Sequence, residues 1–198
     1  MTKTPPPKSP RKRGQARELL LDAAREEFSD PGYFSTDTNK IAKRAGYAPQ
    51  TFYRHFKDKI DIFIAVYDLG VVDGAARLGK YIFNPETQDA VEIAAFQQEV
   101  LSWLIEWSAF RQALRTLTIE EPRVREARAR NRNRQIDLLA SLPNNQTRSR
   151  AEIFAAAIEL EALCDIVAFD IDKDMKVPRS DWTALIVRAA RRVLNSPE

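Results

Sequence analysis

Apolar residues recur at helical spacing along nearly the whole chain. From Gln15 the run Leu19, Leu20, Ala23, Ala24, Phe28 marks one face of a first helix, which Pro31 and Gly32 stop. Thr36 stands where it can cap a second, short helix over residues 37–45, whose apolar side is Ile41, Ala42 and Ala45. Gly46 suits a left-handed cap at its end. Pro49 then opens a third short helix over residues 49–56, with Phe52 and Phe56 four apart on one side. Asp58 can cap a fourth, over residues 59–80, carrying Ile60, Phe63, Ile64, Tyr67 and Val71.

Beyond the break at "FNPET" the pattern predicts helices over residues 87–108 and on to 120, then 122–142 behind Pro122. "LPNNQT" reads as a loop. Helix returns over residues 148–169 and, after "DKDMKVP", over 180–194. No alternating strand pattern and no internal repeat is visible, so the expected fold is all-α with about nine helices. The chain divides into a polar arm (1–14), a three-helix N-terminal domain (15–60) and a larger helical domain (61–198).

Composition narrows the class. No apolar run approaches the ~20 residues that a membrane helix needs. The N-terminal "MTKTPPP" does not resemble a signal peptide. One cysteine, Cys164, fits a reducing cytoplasm, and one cysteine with one histidine argues against a structural zinc site. No metal, no cofactor and no membrane is expected. The six glycines are scattered, with no phosphate-cradling loop and no Cys–His pair, so an enzyme is not expected.

Charge adds a direction. Residues 1–60 hold 13 Lys and Arg against 7 Asp and Glu, whereas the rest of the chain holds 18 against 21. A basic end on an acidic remainder suits an anionic partner at that end. The first 14 residues, rich in Pro, Lys and Arg, read as a disordered basic arm. Two short helices joined by a tight turn at Gly46 fit a helix-turn-helix. If Phe52 and Phe56 anchor the second of them, Gln50, Thr51, Arg54 and His55 face outward. Gln50 offers paired donor and acceptor groups to an adenine edge, and Arg54 a fork to guanine. Thr51, Tyr53 and His55 can donate to phosphate oxygens, and Lys59 adds a charge there.

The segment "TDTNKIAKRAGYAPQTFYRHFKDK" resembles the helix-turn-helix of the TetR family of bacterial regulators. The matching positions are Thr36, Ile41, Ala42, Ala45, Gly46, Thr51, Phe52, Tyr53, His55, Phe56 and Lys59. The resemblance covers about residues 15–70. It departs at Ala48, where the family often has Ser or Thr, at Gln50, often Gly, and at Thr38, usually apolar. The DNA-facing set is then Thr36, Gln50, Thr51, Tyr53, Arg54, His55 and Lys59. The resemblance implies a DNA-binding homodimer, with a small-molecule site in the C-terminal domain.

Two stripes fit those implied roles. Phe96, Val100, Trp103, Trp107 and Phe110 form one apolar line, either core or part of a pocket for an apolar or amphipathic effector. Ile153, Ala157, Leu160, Cys164, Val167 and Ile171 form another. Phe154, Ile158, Ala162, Ile166 and Phe169 occupy a neighbouring side of the same helix. A helix with two apolar sides needs two neighbours, its own core and a second subunit. The stripe from Ile153 to Ile171, with Trp182, Ile186, Ala189 and Val193 of the last helix, is the expected dimer interface, an intermolecular four-helix bundle. The six arginines from Arg123 to Arg134 are spread around their helix and read as a solvated, salt-bridged face. The function this predicts is a repressor released from a palindromic double-stranded operator by a small ligand. The alternative is a DNA-binding regulator controlled by a protein partner.

Overall fold

The computed structural model describes residues 15–82, 90–168, 176 and 178–194, and the account below concerns these. They hold nine α-helices and no strand: α1 Gln15–Glu27, α2 Thr38–Arg44, α3 Pro49–Tyr53, α4 Lys59–Ile82, α5 Ala90–Glu106, α6 Ser108–Glu120, α7 Pro122–Ala140, α8 Arg150–Ala168 and α9 Arg179–Leu194. No described helix is long and apolar enough to cross a membrane. The basic arm and Ile171 lie outside the described residues, as do the side chains of Phe96 and Val167. The chain forms two compact units, Met1–Val66 and Tyr67–Glu198, meeting within α4.

The first unit is built on one apolar centre. Leu20, Ala24 and Phe28 from α1 and its end meet Ile41 and Ala42 of α2, Phe52 of α3, and Ile62 and Phe63 of α4, all fully buried. Phe28, Tyr33 and Phe63 form a ring cluster with centroids 5.0–5.5 Å apart. The buried side of α4 is Ile62, Phe63 and Val66, whereas Ile60, Ile64, Tyr67 and Val71 are half-buried.

The helix ends follow local chemistry. Asp37, one residue later than expected, caps α2: its carboxylate accepts from the Asn39 and Lys40 amides, each at 2.9 Å. At the other end Gly46 has φ +75°, with Gly46 N–H on Lys43 O and Tyr47 N–H on Ala42 O. This paired closure needs a left-handed residue, which glycine supplies without a Cβ clash. α3 ends at Tyr53, earlier than the spacing predicts, although Phe56 N–H still bonds Phe52 O. Asp58 caps α4 through the Asp61 amide at 2.8 Å.

In the second unit two apolar clusters hold the helices. Val100 and Leu104 of α5 pack with Trp182 and Ile186 of α9. Ile136 and Leu139 of α7 pack with Ile153 of α8 and Val193 of α9. Asn145, buried in the loop before α8, donates to Leu139 O and Val193 O, both at 3.0 Å, and so ties the ends of α7 and α9 together. Gly70 and Gly74 of α4 seat two indoles. A Cβ at Gly70 would lie 2.4 Å from Cη2 of Trp107, and one at Gly74 would lie 2.9 Å from Cζ2 of Trp103.

Candidate nucleic-acid interface and effector cluster

The short helix α3 is held from behind and open in front. Phe52 is 0% exposed and Phe56 nearly so, with the two rings 5.7 Å apart. One aromatic anchor on α3 and one just past its end fix its rotation and leave the intervening positions outside. Gln50 and Arg54 are exposed, Tyr53 is 58% exposed, and Thr51 and His55 are half-buried. The Tyr53 hydroxyl lies 3.0 Å from Thr38 Oγ1, a tie between α3 and α2. The sequence marks Thr38 only as a departure from an apolar position. Nothing in its spacing shows that it meets a residue 15 positions on.

Two residues of the expected DNA-facing set point elsewhere. Thr36 is buried, and its hydroxyl donates to Glu27 at 2.6 Å. Glu27, 6% exposed, also accepts from Arg44 Nε at 2.5 Å. Burial by itself would raise the Glu27 carboxyl. The bonds from Thr36 and Arg44, helped by the charges of Arg44 and Lys40, outweigh it and hold the group below its ordinary value. Lys59 folds inward as well. Its ammonium donates to Tyr33 O and Thr36 O, each at 3.0 Å, and sits 4.0 Å over the Tyr33 ring. Burial lowers its pKa, against the opposing charge of Asp37. Thr36 and Lys59 therefore brace the turn before α2. Their side chains were assigned to DNA because spacing does not show which backbone carbonyls lie within reach.

Residues 20–66 match the sequence pattern of the bacterial regulatory proteins of the tetR family. The match falls wholly within the first unit. It is 44% identical over 81 residues to the fatty acid metabolism regulator protein of Bacillus subtilis, 41% of this chain and 38% of that one. It is 42% identical over 55 residues to the HTH-type transcriptional regulator AcrR of Shigella flexneri, 28% of this chain and 26% of that one. The chain thus spans well under half the length of these curated relatives. Among solved structures, a TetR-family regulator from Rhodococcus sp. aligns with TM-score 0.66 and 19% identity, over 91% of this chain and 99% of that one. Salmonella enterica GusR aligns with TM-score 0.63 and 19% identity, over 94% and 99%. FadR from Bacillus halodurans aligns with TM-score 0.56 and 18% identity, over 93% and 97%. At such identity these likenesses show a shared all-α fold.

In the second unit the aromatic stripe is largely interior. Val100, Trp107 and Phe110 are buried, and Trp103 is half-buried. Trp107 meets Phe110 edge-on at 5.1 Å, and Phe110 stacks on Tyr67 at 6.5 Å. Polar groups that the sequence did not single out lie beside the stripe. Arg111 of α6 pairs with Asp165 of α8, and Arg115 reaches the same carboxylate at 3.5 Å. One turn earlier on α8, Glu161 takes both Arg128 and Arg132. Burial would raise Glu161, but the two guanidinium charges and their bonds hold it down. Part of the arginine-rich helix thus turns inward, while Arg125, Arg130 and Arg134 are exposed as expected. Burial pushes the Cys164 thiol up to about 11, so it stays protonated at neutral pH. Among the described residues no group of three His, Cys, Asp or Glu side chains could hold a metal ion.

The residues expected at a dimer interface go mostly to the unit's own core. Ile153, Trp182, Ile186, Ala189 and Val193 are buried, and Leu160 and Cys164 pack half-buried against the Val100 cluster. Ala157 and Leu160 pack against the Ile136 cluster. The neighbouring set divides: Ile166 packs half-buried against the Val100 cluster, Phe169 lies outside the described residues, and the others lie on the outward side of α8. Phe154 is 43% exposed, Ala151, Ala155 and Ala162 are exposed, and Ile158 is half-buried. Both sides are apolar at helical spacing, so the sequence could not tell which one the subunit itself consumes.

Proposed function

We propose that the chain is a dimeric DNA-binding transcriptional regulator, a repressor that leaves a palindromic operator when a small molecule occupies the second unit. The observation that carries the reading is α3, with Phe52 and Phe56 buried behind it and Gln50, Tyr53 and Arg54 open in front. An adenine edge suits Gln50 and a guanine edge suits Arg54, since each offers a two-point match. Tyr53, Thr51 and His55 donate to phosphate oxygens and set the register.

A single five-residue helix reads too few base pairs for a unique site, so pairing of two copies supplies the rest. Two-fold symmetry then demands half-sites about one helical turn apart. The outward face of α8, with Phe154, Ile158 and Ala162, is the surface offered to the second copy. Control follows from differential binding. A ligand that fits only one arrangement of the two heads shifts the population toward that arrangement.

Selection from a random duplex pool tests the reading. The expected result is a palindromic consensus with half-site centres about 10 base pairs, or a multiple of that, apart. Recovery of no consensus at low ionic strength would refute it.

A further inference from the structure

The second unit contains buried donors without acceptors. The indole N–H groups of Trp103 and Trp182 and the Nε–H of Arg111 are buried and meet no acceptor among the described residues. Trp182 is 9% exposed, and a buried N–H left unpaired is costly. All three groups are donors, and they belong to one region. Trp103 packs against the cluster that contains Trp182, and the Arg111 guanidinium lies 6.0 Å from the centre of the Trp103 ring. Cys164 packs against the same cluster, and its neighbour Asp165 pairs with Arg111.

The side chains packed around them are apolar: Val100, Leu104 and Ile186 are all but fully buried. One turn from Asp165, the carboxylate of Glu161 is shared by two guanidiniums, Arg128 and Arg132. A ligand amine would meet further donors, and an alcohol could accept but would bring no charge. A carboxylate accepts several hydrogen bonds and supplies the negative charge.

We propose that this cluster binds an apolar molecule ending in a carboxylate. The carboxylate takes Arg111 Nε–H and at least one of the two indole N–H groups, and the hydrocarbon lies against Val100 and Leu104. The assignment rests on the second unit being the effector-binding unit and names the class of effector.

Matched ten-carbon probes, decanoate, decanol and decylamine, test it on the full chain below their aggregation limits. Direct calorimetric titration is the readout. Decanoate is expected to bind at least about tenfold more tightly than the other two, the value of one charge-assisted hydrogen bond. Trp103→Phe and Trp182→Phe keep an apolar ring and remove the N–H. At least one of them should weaken decanoate about tenfold and decanol by clearly less, since a neutral hydrogen bond is the weaker one. Equal binding of decanoate and decanol, no binding of decanoate, or full decanoate affinity in both variants would each overturn the proposal. Operator binding by the same sample without probe is read separately: its absence would count against the DNA-binding reading, not against the carboxylate site.

Discussion

Gly70→Ala places two effects of opposite sign on one atom. In an exposed helix the change would stabilise by about 1 kcal/mol, because alanine loses less backbone entropy on folding. At this site the new Cβ would stand 2.4, 2.8 and 3.0 Å from three carbons of the Trp107 indole. Trp107 has little room to retreat, being 5% exposed and edge-on to Phe110. Forcing an extra carbon into a packed site costs about 1–3 kcal/mol, with this contact near the upper end. The clash wins, and the net expectation is a loss of ~1–2 kcal/mol and a fall of several degrees in Tm. All three tryptophans lie in the second unit, so their fluorescence during urea or thermal unfolding reports that unit alone. Gly74→Ala is the internal comparison. Its closest contact is 2.9 Å, to a half-buried Trp103, and its net effect should fall within about 1 kcal/mol of zero. Trp107→Leu removes the obstructing ring, and in that background Gly70→Ala should turn neutral or stabilising. If Gly70→Ala alone raised stability by the full helix-propensity gain, the seating of Trp107 on α4 would be wrong.

Other outcomes follow from the first unit and the outer face of α8. Thr36→Val removes a buried donor from Glu27 and should cost the first unit about 1–2 kcal/mol by chemical unfolding monitored by circular dichroism. Glu27 has its carboxyl held down in the fold, so its contribution is complete above the ordinary carboxylate value of 4.5 and is lost as pH falls through the lower folded value. Thr36→Val should therefore move the acid unfolding midpoint upward, and an unchanged midpoint would contradict the assigned network. Lys59→Met should destabilise the unit by about 1–2 kcal/mol, because two carbonyls lose their donor; a change in operator affinity with normal stability would instead return Lys59 to the DNA surface. Tyr53→Phe should weaken binding to all duplexes, whereas Gln50→Ala should change the selected sequence; gel-shift titration on several operators separates the two. Phe154→Glu should convert a dimer to a monomer in sedimentation, and a persistent dimer would move the interface off the outer face of α8.

Much of the fold was legible because it depends on local chemistry. Helix stops at Pro31 and Gly46, the cap at Asp58 and the four-residue spacing of Phe52 and Phe56 act over one or two turns, and the chain states them directly. The outward set on α3 followed from those anchors. What spacing could not supply was the partner of each polar side chain. Thr36 and Lys59 belong to the expected DNA-facing set, but a carboxylate nine residues away and carbonyls more than twenty residues away hold them. Arg111 and Asp165, 54 positions apart, meet only because α6 and α8 pack together. α8 shows the limit most clearly. The sequence determined that two of its sides are apolar, and tertiary packing alone decided that the Ile153 side is buried at home while the Phe154 side faces out. Periodicity fixes which residues share a face of a helix, but which face is consumed depends on where distant helices arrive.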